Sequence, residues 1–234
     1  MKLLAVDTSS IVATVAVMDE DKLIAEAVIN NQKNHSQRLM PLIKEVLDNS
    51  NLSPADIDVY AAALGPGSFT GLRIGITTVK AMAQAMNKPV VGISTLDSLA
   101  YNLPFCNSYI CPIIDAQRNN AYTALYIWDN NGIKLHNEHA ILHIDELIKK
   151  IKTLQRTTIF LGDGINIFKD KLNENLGSLG VIAPSSVAIP RASSVAALAI
   201  KKAKAGELVS PEEIVPIYMR KSQAEKQFEE KFKG

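Results

Sequence analysis

The sequence predicts an α/β protein built as two copies of one lobe that face each other across a cleft. Three observations predict it. An order of three strands, helix, strand, helix, strand and helix runs to about residue 104 and then begins again. Asp7 ends the first strand of the first copy where Asp115 ends the first strand of the second. "ALGPG" (63–67) follows the fourth strand where "FLGDG" (160–164) follows its counterpart. Strands alternating with helices of this length give layered α/β lobes.

In the first copy, Leu3 to Val6 reads as a buried strand, followed by "IVATVAV" from Ile11 and "LIAEAVI" from Leu23. The turn residues "DTSS" and "DEDK" separate them. Leu39, Leu42, Ile43, Val46 and Leu47 then form one stripe at helical spacing, with Ser36 as cap and Pro41 inside the first turns. Strand "VYAAAL", a glycine loop, a helix from about Leu72 to Met86, strand "PVVGI" and the short helix "LDSLAYNL" complete the copy. The second copy reads "YICPIID" and "AYTALYIW" as strands around "AQRNN", with "DNNG" as a hairpin turn into "IKLHNE". A helix over Asp145 to Lys152, strand "TIFLGDG", a helix near Ile167 to Leu176, a short strand near Val181 and the helix "SVAALAIKKAKA" follow. The expected division is therefore a first lobe over 1–104, a second, smaller lobe over 105–213, and a segment 214–234 that returns to the first lobe or to a partner.

A chain of 234 residues with 47% apolar and 21% charged residues buries its own core without disulfides. Its two cysteines, Cys106 and Cys111, build neither a disulfide framework nor a zinc site. A formal charge of +1 gives no broad basic field for nucleic acid, and no aromatic-basic cluster stands out along the chain. Asp7 interrupts the first apolar run too early for a signal peptide, and no run approaches the roughly 18 apolar residues of a membrane span. These features together predict a cytoplasmic protein with no membrane contact.

"GPGSFTGLRIG" (Gly65 to Gly75) requires close approach of the backbone to something. It is neither a P-loop, because Leu72 and Arg73 follow Gly71 where Lys-Ser/Thr is needed, nor a dinucleotide fingerprint, because Thr70 stands at the third glycine. A strand, a turn and a helix N-terminus can still take an anion, while Gly75 inside a helix points to tight packing instead. "DTSS" offers hydroxyls and amides, with Asp7 near any metal, or is an ordinary polar turn. In "HNEHAILH", His136, His139 and His143 lack the glutamate placement of HExxH and read as surface histidines; His35 reads as a capping or surface residue. The helix from Leu72 carries a core stripe and a second face of Gly71, Gly75, Thr78 and Met82, and Met40 extends the apolar surface of the preceding helix.

"AVDTSS", "NHSQRLMPLI", "ALGPGSFTGLRIGI", "KPVVGISTLDSLA", "IIDAQRNNAY" and "IVPIYMRKSQAE" together resemble the TsaB (YeaZ) family, densely over the first half of the chain and again at 215–220. The resemblance implies the duplicated fold of actin, heat-shock chaperones and sugar kinases (ASKHA). It also implies a non-catalytic subunit that binds TsaD and works with the ATPase TsaE on the adenosine beside the anticodon of tRNAs reading codons that begin with A. The implied partner face comprises His35, Leu39, Met40, Gly71, Gly75, Thr78 and Met82, self-paired as a homodimer when TsaD is missing. Asp7, Thr8, Ser9, Gly67, Ser68 and Arg118 are the implied contacts for ATP or ADP within the complex, with no intrinsic cofactor, and tRNA is met only through the complex. TsaD reads "GVNHMEGH" where this chain reads "GISTLDSL", so Thr95 and Leu99 stand at its two metal-binding histidines, and neither binds a transition metal. The family pattern "DARRGE" is "DAQRNN" here, which keeps Arg118 but replaces Gly-Glu by Asn119 and Asn120. The alternative reading is a small-molecule kinase of the same fold using Asp7 for metal and Asp115 as base. The tail adds Ala224, Phe228 and Phe232 at four-residue spacing, which predicts a docking helix.

Overall fold

The computed structural model describes residues 1–31, 35–130 and 132–220. Strands β1 (Lys2–Asp7), β2 (Val12–Asp19), β3 (Lys22–Asn30), β4 (Val59–Gly65) and β5 (Val90–Ser94) form one sheet in the order β3-β2-β1-β4-β5. The first three pair antiparallel through short turns, whereas β4 joins β1, and β5 joins β4, in parallel. Parallel pairs need crossovers, which α1 (His35–Asn49) and α2 (Phe69–Met86) supply. After α3 (Thr95–Ala100) the plan repeats with β6 (Tyr109–Asp115), β7 (Asn120–Thr123), a hairpin of β8 (Tyr126–Asp129) and β9 (Gly132–Leu135), and β10 (Ala140–His143). Then come α4 (Ile144–Leu154), β11 (Thr158–Leu161), α5 (Ile165–Leu176), β12 (Gly180–Ile182) and α6 (Ala192–Lys204). The second sheet runs β10-β7-β6-β11-β12 with the same alternation of antiparallel and parallel pairs. The duplication read from the sequence is thus a duplication of topology.

Two local expectations give way. "AYTALYIW" is two strands, because the Leu125 carbonyl accepts from the His136 N–H at 2.7 Å and its N–H goes to the Asn137 side chain, which breaks the ladder to β6. "AILH", which carries no alternation of its own, becomes β10 by pairing with β7, the place that β3 takes against β2. At α1, His35 is already helical, so Ser36 lies inside the first turn and is no cap. At α2, Ser68 caps by accepting the Gly71 N–H at 3.2 Å, and the helix begins three residues before Leu72.

Each sheet is covered on both faces. Leu4 and Val6 point to α1 and α2, among Leu39, Leu42, Ile76 and Val79, while Leu3 and Ala5 point to Val195, Ala196 and Ala199 of α6. In the second sheet Cys111 and Ile113 meet Leu147, Ile151, Phe168 and Leu172 of α4 and α5. Its opposite face, through Ile110 and Ile114, meets Leu96 and Leu99 of α3. The two lobes therefore exchange helices: α3 leaves the first sheet for the second, and α6 crosses back. A boundary at 105 and 213 misplaces α6, which lies within the second segment by sequence but packs on the first sheet. The chain after α6 also stays with the first lobe, where Val209 bridges Val90, Ile214 is buried in the core, and the Ile217 N–H donates to the Leu64 carbonyl at 2.7 Å. Tyr218 stacks on Phe69 at 4.6 Å, and Arg220 then reaches the Ala116 carbonyl of the second lobe. Ala224, Phe228 and Phe232 lie outside the described residues.

Glu26 on β3 fastens α6. Its carboxylate accepts from the Ser193 N–H at 3.0 Å, the Ser193 hydroxyl at 2.8 Å and the Arg191 guanidinium, and its side chain is 5% exposed. Burial opposes the charge, but Arg191 and the two Ser193 donors outweigh it and hold the carboxyl below the usual range. A carboxylate at a helix N-terminus also meets the positive end of the helix dipole. Removing it strands Arg191, so Glu26→Ala is expected to lose about 2–4 kcal/mol in urea unfolding, somewhat below the range for a fully buried pair. Because the folded-state pKa is depressed, this contribution is complete above the ordinary glutamate pKa of about 4.3 and fades as pH falls through the folded value.

Candidate partner face and interlobe cleft

The glycine loop answers to the turn after β1. A Cβ on Gly67 would stand 2.3 Å from the Ser9 carbonyl oxygen, one on Gly71 2.1 Å from that of Thr8, and one on Gly75 2.3 Å from Thr8 Oγ1. The Ser68 N–H donates to the Ser9 carbonyl at 2.7 Å, and Thr8 Oγ1 donates to the Gly71 carbonyl at 2.8 Å. Gly71 and Gly75 are buried against the chain's own β1 turn, so their assignment to a partner face is corrected: the close approach is internal. Leu39, 1% exposed, is likewise core, and His35 Nε2 lies 2.7 Å from the Ser10 carbonyl.

What remains outside is an apolar groove of about 730 Å³ between α1 and α2, lined by Met40, Ile74, Thr78, Met82 and Met86 with the small Ala81 and Ala85. Met40 is 51% exposed. Flexible thioethers over small residues adapt to an apolar surface at little cost.

The nucleotide candidates split. Asp7, Thr8, Ser9, Gly67 and Ser68 come together, while Arg118 is exposed on the equivalent turn of the second lobe, where Gln117, Arg118 and Asn119 are all left-handed (φ 62°, 54° and 59°). Asn120, in place of the family's glutamate, donates to the Gln117 and Arg118 carbonyls at 3.1 and 2.9 Å and so holds that turn. In the first-lobe group two oxygens, Asp7 Oδ2 and Ser9 Oγ, are buried without a hydrogen-bond partner. Its glycine is pressed on a carbonyl, and the Ser68 and Gly71 N–H groups at the helix start are already engaged within the chain.

The two duplicated aspartates share one structural role. Asp7 Oδ1 accepts from the Ser9 N–H at 2.8 Å and Asp115 Oδ1 from the Gln117 N–H at 2.7 Å, each closing an Asx turn. Asp7 is fully buried, and burial pushes its carboxyl up. The residue that sequence reading passed over is Asp163 of "FLGDG". It faces the interlobe cleft, a cavity of about 520 Å³ shared with Ser10, Asn30, Asn166 and Lys169. Burial, with the Asp115 carboxylate adding repulsion, pushes Asp163 up to about 6 although it accepts the Asp115 N–H at 3.2 Å. Its place in the aligned loop, opposite Pro66, was the one signal available.

The three histidines serve separate partners. His136 Nε2 is 3.3 Å from the Tyr109 hydroxyl, His139 Nε2 is 2.9 Å from the Tyr126 hydroxyl and 3.2 Å from Asp97, and His143 Nδ1 accepts from the Asp145 N–H at 3.4 Å. Among the described residues no three metal-ligating side chains converge. Thr95 and Leu99, both 1% exposed, are packed into the joint between the lobes.

Comparison with known proteins gives this geometry a family. A chain from Bacillus subtilis named tRNA threonylcarbamoyladenosine biosynthesis protein TsaB is 33% identical over 225 residues, 96% of each chain. An Escherichia coli protein of the same name is 30% identical over 228 residues, again 96% of each. The chain belongs to the TsaB family. Residues 22–228 of this TsaB-family chain also match the model of the TsaD family, described as tRNA N6-adenosine threonylcarbamoyltransferase. The solved structure of YeaZ from Pseudomonas aeruginosa superposes with a TM-score of 0.77 at 25% identity, covering 93% of this chain and 99% of that one. An activator of 2-hydroxyisocaproyl-CoA dehydratase from Clostridium difficile, solved with ADPNP, matches at a TM-score of 0.50 and 14% identity over 93% of this chain and 100% of that one, a likeness of fold alone. The actin-like, duplicated ASKHA architecture is thereby shown. No helix among the described residues is long and apolar enough to cross a membrane.

Gly71→Ala drives a methyl into the Thr8 carbonyl and is expected to lose about 1–3 kcal/mol in chemical denaturation, with the midpoint lowered and the slope unchanged. For Asp163 the sign runs the other way from Glu26. Its folded pKa lies above the ordinary value of about 3.9, so the folded chain binds the proton more tightly and loses stability as pH rises from about 4 to 6. Asp163→Asn, whose Oδ1 still accepts the Asp115 N–H, is expected to flatten that slope and to gain up to about 3 kcal/mol at pH 7.

Proposed function

We propose that this chain is an accessory, non-catalytic subunit for threonylcarbamoylation of the adenosine beside the anticodon, acting by binding TsaD. The observation that carries the proposal is the apolar α1–α2 groove on a chain whose family name ties it to that modification. Met40, Thr78 and Met82 form its contact face, while Gly71 and Gly75 support it from beneath. In the absence of TsaD the same face pairs with itself, because a C2 dimer needs only one self-complementary patch. TsaE and the supply of threonylcarbamoyl-adenylate complete the reaction, and tRNA is brought in with the complex.

The non-catalytic part rests on residue chemistry. Threonine and leucine at the positions of the TsaD histidine pair give no ligand for a transition metal. Asp7 and Asp115, the carboxylates a kinase would use for metal and base, each spend Oδ1 on their own turn, and Asp7 is fully buried. The match to the TsaD model is a match of a shared fold that carries these replacements. Any ATP or ADP contact is assigned to the assembled complex.

Purified chain, TsaD and TsaE, supplied with ATP, threonylcarbamoyl-adenylate and unmodified tRNA, test the reading. Modification is expected only when all three proteins are present. Met82→Asp, with helicity checked by circular dichroism, is expected to weaken TsaD binding at least about thirtyfold, the loss typical of a central interface residue. Modification by the chain alone, or a folded Met82→Asp variant with unchanged affinity, overturns it.

A further inference from the structure

Away from the α1–α2 groove, a run of rings on the second lobe and the adjoining α6 is flanked by cations. Phe105 meets Trp128 edge-on at 5.5 Å, Trp128 meets Tyr101 at 5.4 Å, and Lys201 Nζ stands 5.0 Å over the Tyr101 ring. At the other end the Arg156 guanidinium donates to the Asn107 carbonyl, two residues beyond Phe105, and lies 4.9 Å over Tyr109, whose ring contacts His136 at 4.8 Å. Sequence reading missed this cluster because its members come from four separate segments. We propose that the strip is a single-stranded RNA contact, with an unpaired base stacked on Phe105 and flanking phosphates taken by Arg156 and Lys201.

Three observations carry it. Phe105 is 83% exposed and its contact with Trp128 is edge-on, which leaves an open π face of the kind on which a base stacks. Its φ of +57° is left-handed, a conformation that a bulky residue adopts only at a cost and that a glycine or asparagine would take more readily. A large ring displayed to solvent in a strained loop is a poor solution for stability alone. The charge fits a polyanion: Asp129 beside Trp128 is paired with Lys134, whereas Arg156 and Lys201 form no ion pair among the described residues. Local charge is thus near +2 on a chain whose total is +1. Two phosphate contacts give a salt dependence of only about −1.4 in log–log slope, so the strip assists binding by a complex and does not hold tRNA unaided. The identity of the RNA rests on the function proposed above; the stacking chemistry does not.

Trp128 is the sole tryptophan and adjoins the proposed base, so its fluorescence reads the event directly. The full chain, alone and with TsaD, is titrated at low salt with an unmodified anticodon stem-loop and with a blunt RNA duplex of equal length. The stem-loop is expected to quench Trp128 and the duplex to leave it unchanged. Phe105→Ala, at a solvent-exposed position, is expected to weaken stem-loop binding about tenfold while Phe105→Tyr restores it, and Lys201→Glu to flatten the salt dependence. Absence of quenching, equal response to the duplex, or unchanged affinity in Phe105→Ala overturns the proposal. So does a Phe105→Ala variant that loses TsaD but not RNA, which makes the strip a protein interface. If wild-type chain binds the stem-loop but never TsaD, the accessory-subunit reading fails and the RNA contact stands.

Discussion

Backbone pressed on backbone sets this structure. Where α2 leaves the glycine loop, three residues lack a Cβ because the Thr8–Ser9 turn occupies its place, and two hydrogen bonds tie the surfaces together. Only the short Thr8 side chain lies between helix and turn, and its hydrogen bond to Gly71 fixes α2 in place. Its outer ridge of Ile74, Thr78 and Met82 is consequently fixed beside Met40 of α1. The second lobe uses the same device: Cβ atoms on Gly162 and Gly164 would stand 2.4 and 2.8 Å from the Ile113 carbonyl. Duplication preserved a packing rule more faithfully than it preserved sequence.

The exchange of α3 and α6 then makes two lobes into one unit. Each lobe buries a helix from the other half of the chain, and Glu26 supplies the joint's main polar fastening. Thr95 and Leu99 sit in this joint beside Ser9, Ile114 and Asp163. Both side chains are buried there, Leu99 among the apolar residues of the joint and Thr95 with its hydroxyl lacking a hydrogen-bond partner.

Legibility in the sequence followed the range of the interaction. Elements with their own periodicity, such as the stripe Leu39 to Leu47, were readable because one face of one helix decides them. The repeat was readable because Asp7 and Asp115 close the same Asx turn and both glycine loops end a strand at positive φ, +112° at Gly65 and +100° at Gly162. "AILH" was not, since its strand character comes entirely from β7. The crossing of α6 was not, because an alanine-rich helix suits either sheet. At the site, the need for close approach at Gly71 and Gly75 was plain, but a glycine does not say which surface approaches it. Met40, Thr78 and Met82, read from their spacing as one apolar surface, do line a common groove. Asp163 needed the lobes assembled before its desolvation existed.

These contacts decide where function can reside. In the first lobe, the groups around the glycine loop engage one another in part: the Ser68 amide meets the Ser9 carbonyl, Thr8 meets Gly71 and Asp7 Oδ1 closes its own turn, while Asp7 Oδ2 and Ser9 Oγ are buried without a hydrogen-bond partner. An engaged amide is a weak partner for an anion. The cleft holds Asp163, pushed up to about 6 by burial, between an apolar wall of Ile165, Ala183 and Ala188 and a polar one of Ser10, Asn30, Asn166 and Lys169. The packed interior holds the outward-facing surfaces at fixed separation. The α1–α2 groove and the Phe105–Trp128 strip belong to different lobes, so their relative placement depends directly on the helix exchange that locks the lobes together.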